Sequence, residues 1–275
     1  KVNYANSIYW DEIDFSVHKK ITFEQMHFRD PLYIMFSSGT TGKPKSIVHS
    51  IGGTLIQHAK ELGLHVDLSK NEKILYYTTC GWMMWNWLLS GLYFKSTIVL
   101  YEGSPFFPNK DSLIELLDRE KINIFGTSAR YISYLSSENI NPKEKYKLKE
   151  LRLILSTGSA LTPEDFEYTY KNIKADIQLS SISGGTDIIS CFALGNPLLP
   201  VRTGELQCIG LGMDVASYSL DGRPLKNQKG ELVCLSPFPS MPIYFWNDNE
   251  NKKYYNSYFN KYQNIWTHGD FIEIK

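Results

Sequence analysis

The sequence predicts an α/β fold: a mostly parallel sheet flanked by helices, followed by a small antiparallel β lobe. Up to about residue 200, short β-rich apolar runs alternate with segments of helical periodicity, the pattern of a parallel sheet covered on both faces. Beyond it, "GELQCIG", "VASYSL" and "GELVCLS" are short strands separated by turn signals such as "DGRP". The chain is therefore divided into an α/β part, 1–200, and a small β-barrel-like part, 201–275.

The predicted strands are "LYIMFS" (32–37), "KILYYTT" (73–79), "STIVLYE" (96–102), "INIFGT" (122–127), "LRLILST" (151–157) and "DIQLSSI" (176–182). Each is brief and bounded by polar or turn residues. Between them, Ile51, Leu55, Ala59 and Leu62 are predicted to share one helix face, and Leu113, Leu116 and Leu117 another. Thr162, Pro163, Glu164 and Asp165 open a helix with an N-cap, a proline at the first position and early acids. The string "WMMWNWLLSGLYF" is shorter than the roughly 20 residues of a membrane span and reads as a buried helix. Five polar strings, "SSGTTG", "TTCGW", "GTSARY", "STGSA" and "SISGGTD", are expected along one edge of the sheet, beyond the strand ends where such folds bind ligands.

Hydrophobic residues make up 43% of the 275 and aromatics 14%, so the chain can bury a large core. Lysine plus arginine equals aspartate plus glutamate at 29 each, which leaves no electrostatic footprint for nucleic acid or an anionic membrane. Cys80, Cys191, Cys208 and Cys234 have no metal spacing and are expected to be reduced thiols of a cytoplasmic protein. The chain starts at Lys1 and stops at Lys275 within a strand-like run, as a segment of a longer polypeptide would.

The densest chemistry lies in "FSSGTTGKPKSIVHS", residues 36–50. Phosphate oxygens are held by backbone N–H groups, hydroxyls and cations converging on one spot. Here Ser37, Ser38, Thr40 and Thr41 supply hydroxyls, Gly39 and Gly42 close approach, and Lys43 and Lys45 charge. A Walker A loop needs four residues between its glycines and a hydroxyl residue after its lysine; this string has only Thr40 and Thr41 between them, and Pro44 after Lys43. It is a phosphate loop of another kind.

That string resembles the phosphate loop of the adenylate-forming acyl-CoA synthetase superfamily, and further matching strings follow in order: "SISGGTD", "GEL" at 204–206 and "WTHGD" at 266–270. The resemblance covers essentially the whole chain and implies part of the large domain of such an enzyme. It implies an acid–thiol ligase in which a carboxylate attacks the α-phosphate of ATP, after which coenzyme A displaces AMP from the acyl-adenylate. Mg²⁺ is the implied metal. Ser37 to Lys43 are implied to hold the outer phosphates with Lys45 nearby. Thr186 is implied to bond the α-phosphate and Asp187 to bind the metal, as an aspartate where relatives have glutamate. Gly158, Ser159 and Ala160 match the adenine-side loop, and Ser183, Gly184 and Gly185 lead into Thr186. Asp270 matches the ribose-binding carboxylate, with His268 where many relatives have threonine. Trp82 is assigned to the acid pocket, Trp85 and Trp87 to the core, and His49, His58 and His65 to surface or packing.

Relatives acting on acetate read Trp-Trp-Gln-Thr-Glu where this chain has Ser183 to Asp187, which aligns the second tryptophan with Gly184. An opened pocket implies a short acid larger than acetate, with acetoacetate as the expected one. The resemblance also implies that an upstream half of the large domain and a C-terminal lid domain lie outside this chain, which alone would be inactive in the full reaction. Two other readings fit the same strings: a noncatalytic nucleotide-binding module, and an adenylating enzyme for another short acid or a carrier-protein acceptor.

Overall fold

A computed structural model describes residues 6–16, 20–37 and 44–275. Five strands form the central parallel sheet: β3 (Lys73–Tyr76), β4 (Thr97–Val99), β5 (Ile124–Ser128), β6 (Leu153–Thr157) and β7 (Gln178–Ser181), in the order β4-β3-β5-β6-β7. Successive side chains of a strand point to opposite faces. Leu75, Phe125 and Ile154 accordingly pack on one side with Leu113, Leu116, Ile132 and Phe166. Those come from the helices α3 (Ser112–Arg119), α4 (Ala129–Ser137) and α5 (Pro163–Tyr168). Ile74, Ile124 and Leu155 pack on the other side with Met83, Met84, Trp87 and Leu88 of α2 (Met83–Leu89). The helix expected in the tryptophan-rich string is thus present, buried on the face of Met83, Met84, Trp87 and Leu88, while Leu89, Leu92 and Tyr93 of the same string are exposed. Thr162 caps α5 by accepting from Asp165 N at 3.3 Å, with Pro163 at the first position. Among the described residues, no helix is long and apolar enough to cross a membrane.

Two expectations are corrected. The first strand, β1 (Pro31–Ser37), is not part of the parallel sheet; it pairs antiparallel with β2 (Lys45–Ser50). A connection as short as residues 38–44 can close a hairpin but cannot make the crossover that parallel strands require. The two strands that flank residues 38–43 therefore form a hairpin and do not belong to the parallel edge. Equally, "SISGGTD" leaves β7 into a second hairpin, β8 (Ser183–Gly185) and β9 (Ser190–Leu194).

The antiparallel part follows the sequence expectation. Its four-stranded sheet has the order β12-β11-β13-β15, from β11 (Val215–Tyr218), β12 (Pro224–Leu225), β13 (Lys229–Cys234) and β15 (Trp266–Glu273). Two further strands reach back across residue 200: β10 (Cys208–Ile209) pairs with β9, and β14 (Tyr244–Phe245) with β2. The helix α6 (Lys252–Tyr258) lies between β14 and β15 in the chain and contributes Tyr258 to their shared aromatic core.

The second correction concerns α1 (Ile51–Lys60) and the π-helical turn Glu61–His65 that continues it. Leu55 is 44% exposed and Ile56 52%, while Thr54, Gln57, His58, Glu61 and His65 are buried. The helix turns its polar side inward because the β8–β9 hairpin presents backbone groups to it, and buried backbone groups need partners. Glu61 accepts from Ser190 Oγ at 2.5 Å, Cys191 N at 3.1 Å and Trp87 Nε1 at 2.8 Å. Gln57 Nε2 donates to Ser190 Oγ at 2.7 Å. Replacing Glu61 by alanine strands these buried donors at about 1–3 kcal/mol each, whereas glutamine keeps an acceptor. In urea titrations, Glu61→Ala is expected to lower the unfolding midpoint well beyond Glu61→Gln; equal midpoints would count against the network.

Candidate functional site

A cavity of about 1160 Å³ opens beyond the carboxyl ends of β6 and β7. The end of β6 passes into Gly158, whose φ of +88° favours glycine, and Gly158, Ser159 and Ala160 form one wall. The β8 strand brings Ser183, Gly184, Gly185 and Thr186 to a second wall. From the far sheet, β15 supplies Asp270, and Trp82 with Met83 and Met84 at the start of α2 closes an apolar end. One cavity thus unites Trp82, Gly158–Ala160, Ser183–Thr186 and Asp270. Ser128, which ends the "GTS" string, instead caps α4 by accepting from Tyr131 N at 3.3 Å.

Lys45 and Asp187 stand off this wall and together. Lys45 Nζ is ion-paired with Asp187 Oδ1, and Tyr258 OH donates to the same oxygen at 2.5 Å. Burial alone would raise the Asp187 pKa, but the hydrogen bonds from Lys45 and Tyr258, with the charges of Lys45 and His268, bring it below the ordinary carboxylate value. Burial lowers the pKa of His268, against the opposing pull of Asp187 and Asp270. Ser37 pairs with Lys45 across the β1–β2 hairpin. Ser38, Gly39, Thr40, Thr41, Gly42 and Lys43 lie outside the described residues.

Magnesium tolerates a site built from one or two carboxylates plus phosphates and waters. Among the described residues, no three His, Cys, Asp or Glu side chains come together as a cage. The side-chain hydrogen bonds to Asp187 among the described residues fall on Oδ1, which leaves Oδ2 for a ligand-binding role. The donor set fits a single-carboxylate site of that kind.

The three histidines assigned to surface or packing prove to be buried anchors of the hairpin that carries Thr186. His49 Nε2 donates to Thr186 O at 3.0 Å, His58 Nε2 to Ile189 O at 2.8 Å, and His65 Nδ1 to Gly195 O at 2.8 Å. For His58 and His65, the spacing with Gln57 and Glu61 along α1 and its π-helical turn was the available sequence signal. Met83, Met84 and Cys191 also line the cavity without having been singled out.

The chain matches the family described as "AMP-binding enzyme" over residues 5–245. That match takes in most of the chain, including both hairpins. The chain belongs to the AMP-binding enzyme family. Among curated relatives, this AMP-binding chain is 53% identical over 253 residues to the acetoacetyl-coenzyme A synthetase of Rhizobium meliloti (strain 1021), covering 92% of this chain and 39% of that protein. It is 50% identical over 255 residues to the acetoacetyl-CoA synthetase of Gallus gallus, covering 93% and 38% respectively. A solved acetoacetyl-CoA synthetase from Streptomyces lividans superposes with a TM-score of 0.90 at 45% identity, covering 94% of this chain and 40% of that one. The chain therefore spans about two fifths of the length of the relatives it matches.

At Gly184 the close approach of a neighbouring strand, rather than pocket size, demands glycine. A Cβ at Gly184 would lie 2.1 Å from Ser190 O and 2.6 Å from Cys191 Cα. Glycine is required there because β9 approaches too closely, so the missing side chain does not itself open the cavity. A Cβ at Gly185 would meet His268 Nε2 only at 3.9 Å. Gly184→Ala is therefore expected to cost about 1–3 kcal/mol of stability by overpacking, with Gly185→Ala close to neutral. Comparing the thermal midpoints of the two variants checks this, and equal losses would refute it.

Burial holds the His49 pKa down at about 4, against an ordinary value of 6.5. Between those values the unfolded chain binds a proton that the folded one refuses. The contribution of His49 is thus complete above pH 6.5 and is lost as pH falls toward 4, with a slope of at most about 1.4 kcal/mol per pH unit. His58 and His65, also lowered by burial, act in the same direction. Denaturant midpoints measured from pH 7.5 to 4.5 should fall steadily in the wild type and more gently in His49→Gln.

Proposed function

We propose that this chain is the nucleotide-binding core of an acid–thiol ligase that converts acetoacetate, ATP and coenzyme A into acetoacetyl-CoA, AMP and pyrophosphate. The observation that carries this reading is the identity of about half the residues, over more than nine tenths of the chain, to acetoacetyl-CoA synthetases. A cavity with hydroxyl and carboxylate groups on its walls and an apolar end supports it.

In this reading the acid carboxylate attacks the α-phosphorus, and the bond to the pyrophosphate oxygen breaks with its electron pair leaving on pyrophosphate. The coenzyme A sulfur then attacks the acyl carbon, its thiol proton passes to solvent, and AMP departs. Thr186 donates its hydroxyl to the α-phosphate, fixed in place by the His49 bond to its carbonyl. The hydroxyls and backbone of Ser37, Ser38, Gly39, Thr40, Thr41, Gly42 and Lys43 cradle the outer phosphates. Gly158, Ser159 and Ala160 face the adenine, and Asp270, 63% exposed at its side chain, accepts from the ribose hydroxyls. Trp82, Met83 and Met84 receive the short acyl chain. Asp187 Oδ2 would hold magnesium, which when bound neutralises charge on the phosphates.

The division into 1–200 and 201–275 is proposed as one of role: the first part holds the phosphates and adenine, the second brings the ribose carboxylate. The remaining three fifths of the enzyme are proposed to contribute the other half of the large domain and a lid. Leu55, Ile56 and Leu64 along α1 and its π-helical turn, and Leu32 and Phe36 on β1, are exposed apolar side chains that such a partner would cover. The chain alone should bind nucleotide weakly and release no thioester.

Pyrophosphate release from the full-length enzyme, assayed over a panel of short acids, tests the reading. Acetoacetate is expected to exceed acetate in kcat/KM at least about tenfold, the range that small pocket differences achieve. Preference for acetate, or no release with any acid, would refute it.

A further inference from the structure

Asp187 is gripped by groups from remote parts of the chain. Lys45 opens β2, Asp187 follows β8, and Tyr258 ends α6. Lys45 Nζ and Tyr258 OH both donate to Oδ1; the ammonium also lies 3.4 Å from the phenol oxygen and 4.9 Å from the centroid of its ring.

The two donors differ in freedom. Tyr258 is 2% exposed, its ring stacked on Trp266 at 3.7 Å and 14° and packed edge-on against Phe245 at 5.7 Å. Lys45 carries its charge on a flexible stem, is 25% exposed at its side chain, and stands where the chain leaves the phosphate loop. A lysine and a divalent cation repel each other across one carboxylate, and phosphate oxygens offer the lysine an alternative charge-assisted bond.

We propose that Tyr258 is a positioning residue for the nucleotide site: its fixed phenol anchors Asp187 Oδ1 and leaves Oδ2 for magnesium, while Lys45 is a placeholder cation that moves to the phosphates when magnesium-loaded ATP binds. This rests on the adenylation reading above and assigns Tyr258 a role that the nucleotide-contacting strings do not contain. Tyr258 keeps its hydrogen bond in both states, and Lys45 exchanges.

Calorimetric titration of ATP into the full-length enzyme, with magnesium and with a chelator, tests the proposal. Failure of magnesium to tighten ATP in the wild type would contradict the adenylation reading itself, separately from the role of Tyr258. Tyr258→Phe removes one oxygen and keeps the aromatic stack. It is expected to reduce the magnesium-dependent tightening about tenfold, the scale of a hydrogen bond to a charged group, with metal-free ATP affinity unchanged. Wild-type tightening in Tyr258→Phe would overturn the proposal. In an Asp187→Asn background, Tyr258→Phe should add no further loss, and additive losses would overturn it equally. Lys45→Gln leaves the α6 packing untouched and tests the exchange even if the tyrosine variant does not fold. With the placeholder gone, the magnesium concentration for half-maximal tightening should fall about threefold or more while metal-free ATP binding weakens. An unchanged or higher magnesium requirement would overturn the exchange.

Discussion

The arrangement of this site depends on one buried polar seam, where α1 and its π-helical turn meet the β8–β9 hairpin. Gln57, His58, Glu61 and His65 face inward from one side of the helix and bond to Ser190, Ile189, Cys191 and Gly195. His65 Nε2 further accepts from Leu211 N at 3.0 Å, which ties the same seam to the start of the antiparallel part. Such a seam is costly to leave half satisfied, because every stranded group pays its full desolvation. It therefore selects one position of the hairpin rather than adding much net stability. Hydrophobic burial on both faces of the parallel sheet supplies the stability.

Function follows from what the hairpin carries. Thr186 reaches the cavity while Asp187 turns away from it to meet Lys45 and Tyr258. The hairpin thus connects β2, the cavity wall and the aromatic core around Trp266. Asp270 approaches from β15 with its side chain largely exposed, as suits a group that meets a ligand rather than the core. The apolar end, with Met83 and Met84, is backed by the buried Trp87, which Glu61 holds through its indole N–H. One carboxyl group therefore orients both the hairpin wall and the helix behind the apolar end.

Much of this was legible in the sequence. The central strands were visible because β-branched and aromatic residues sit in short runs between polar strings, α3 because of its leucine periodicity, and α5 because of its N-terminal cap and proline. Residue types that suit only a few chemistries at that density marked the site strings, and Trp82, Gly158 to Ala160, Ser183 to Thr186 and Asp270 do line one cavity. What was not legible required tertiary information. On α1, the apolar stripe through Leu55 and the polar stripe through His58 and Glu61 fit the helical period equally well. Only the unpaired backbone of a hairpin more than a hundred residues away decides between them. Gly184 read as an absent side chain in a pocket, yet the approach of Ser190 is what excludes a Cβ. Tyr258 lay in a polar, aromatic stretch without a motif, and no local pattern places a phenol beside Asp187.

The central claim is that α1 holds the Thr186 hairpin through the seam, and amide hydrogen exchange on the full-length enzyme tests it most directly. In the wild type, the amides of Cys191 and of the residues following it in β9 should exchange as slowly as those of β5 and β6. In His58→Ala they should become fast, with β5 and β6 unchanged, because the hairpin can then open locally. Equal protection of β9 in both proteins would show that the hairpin is held by something other than the seam, and would contradict the account.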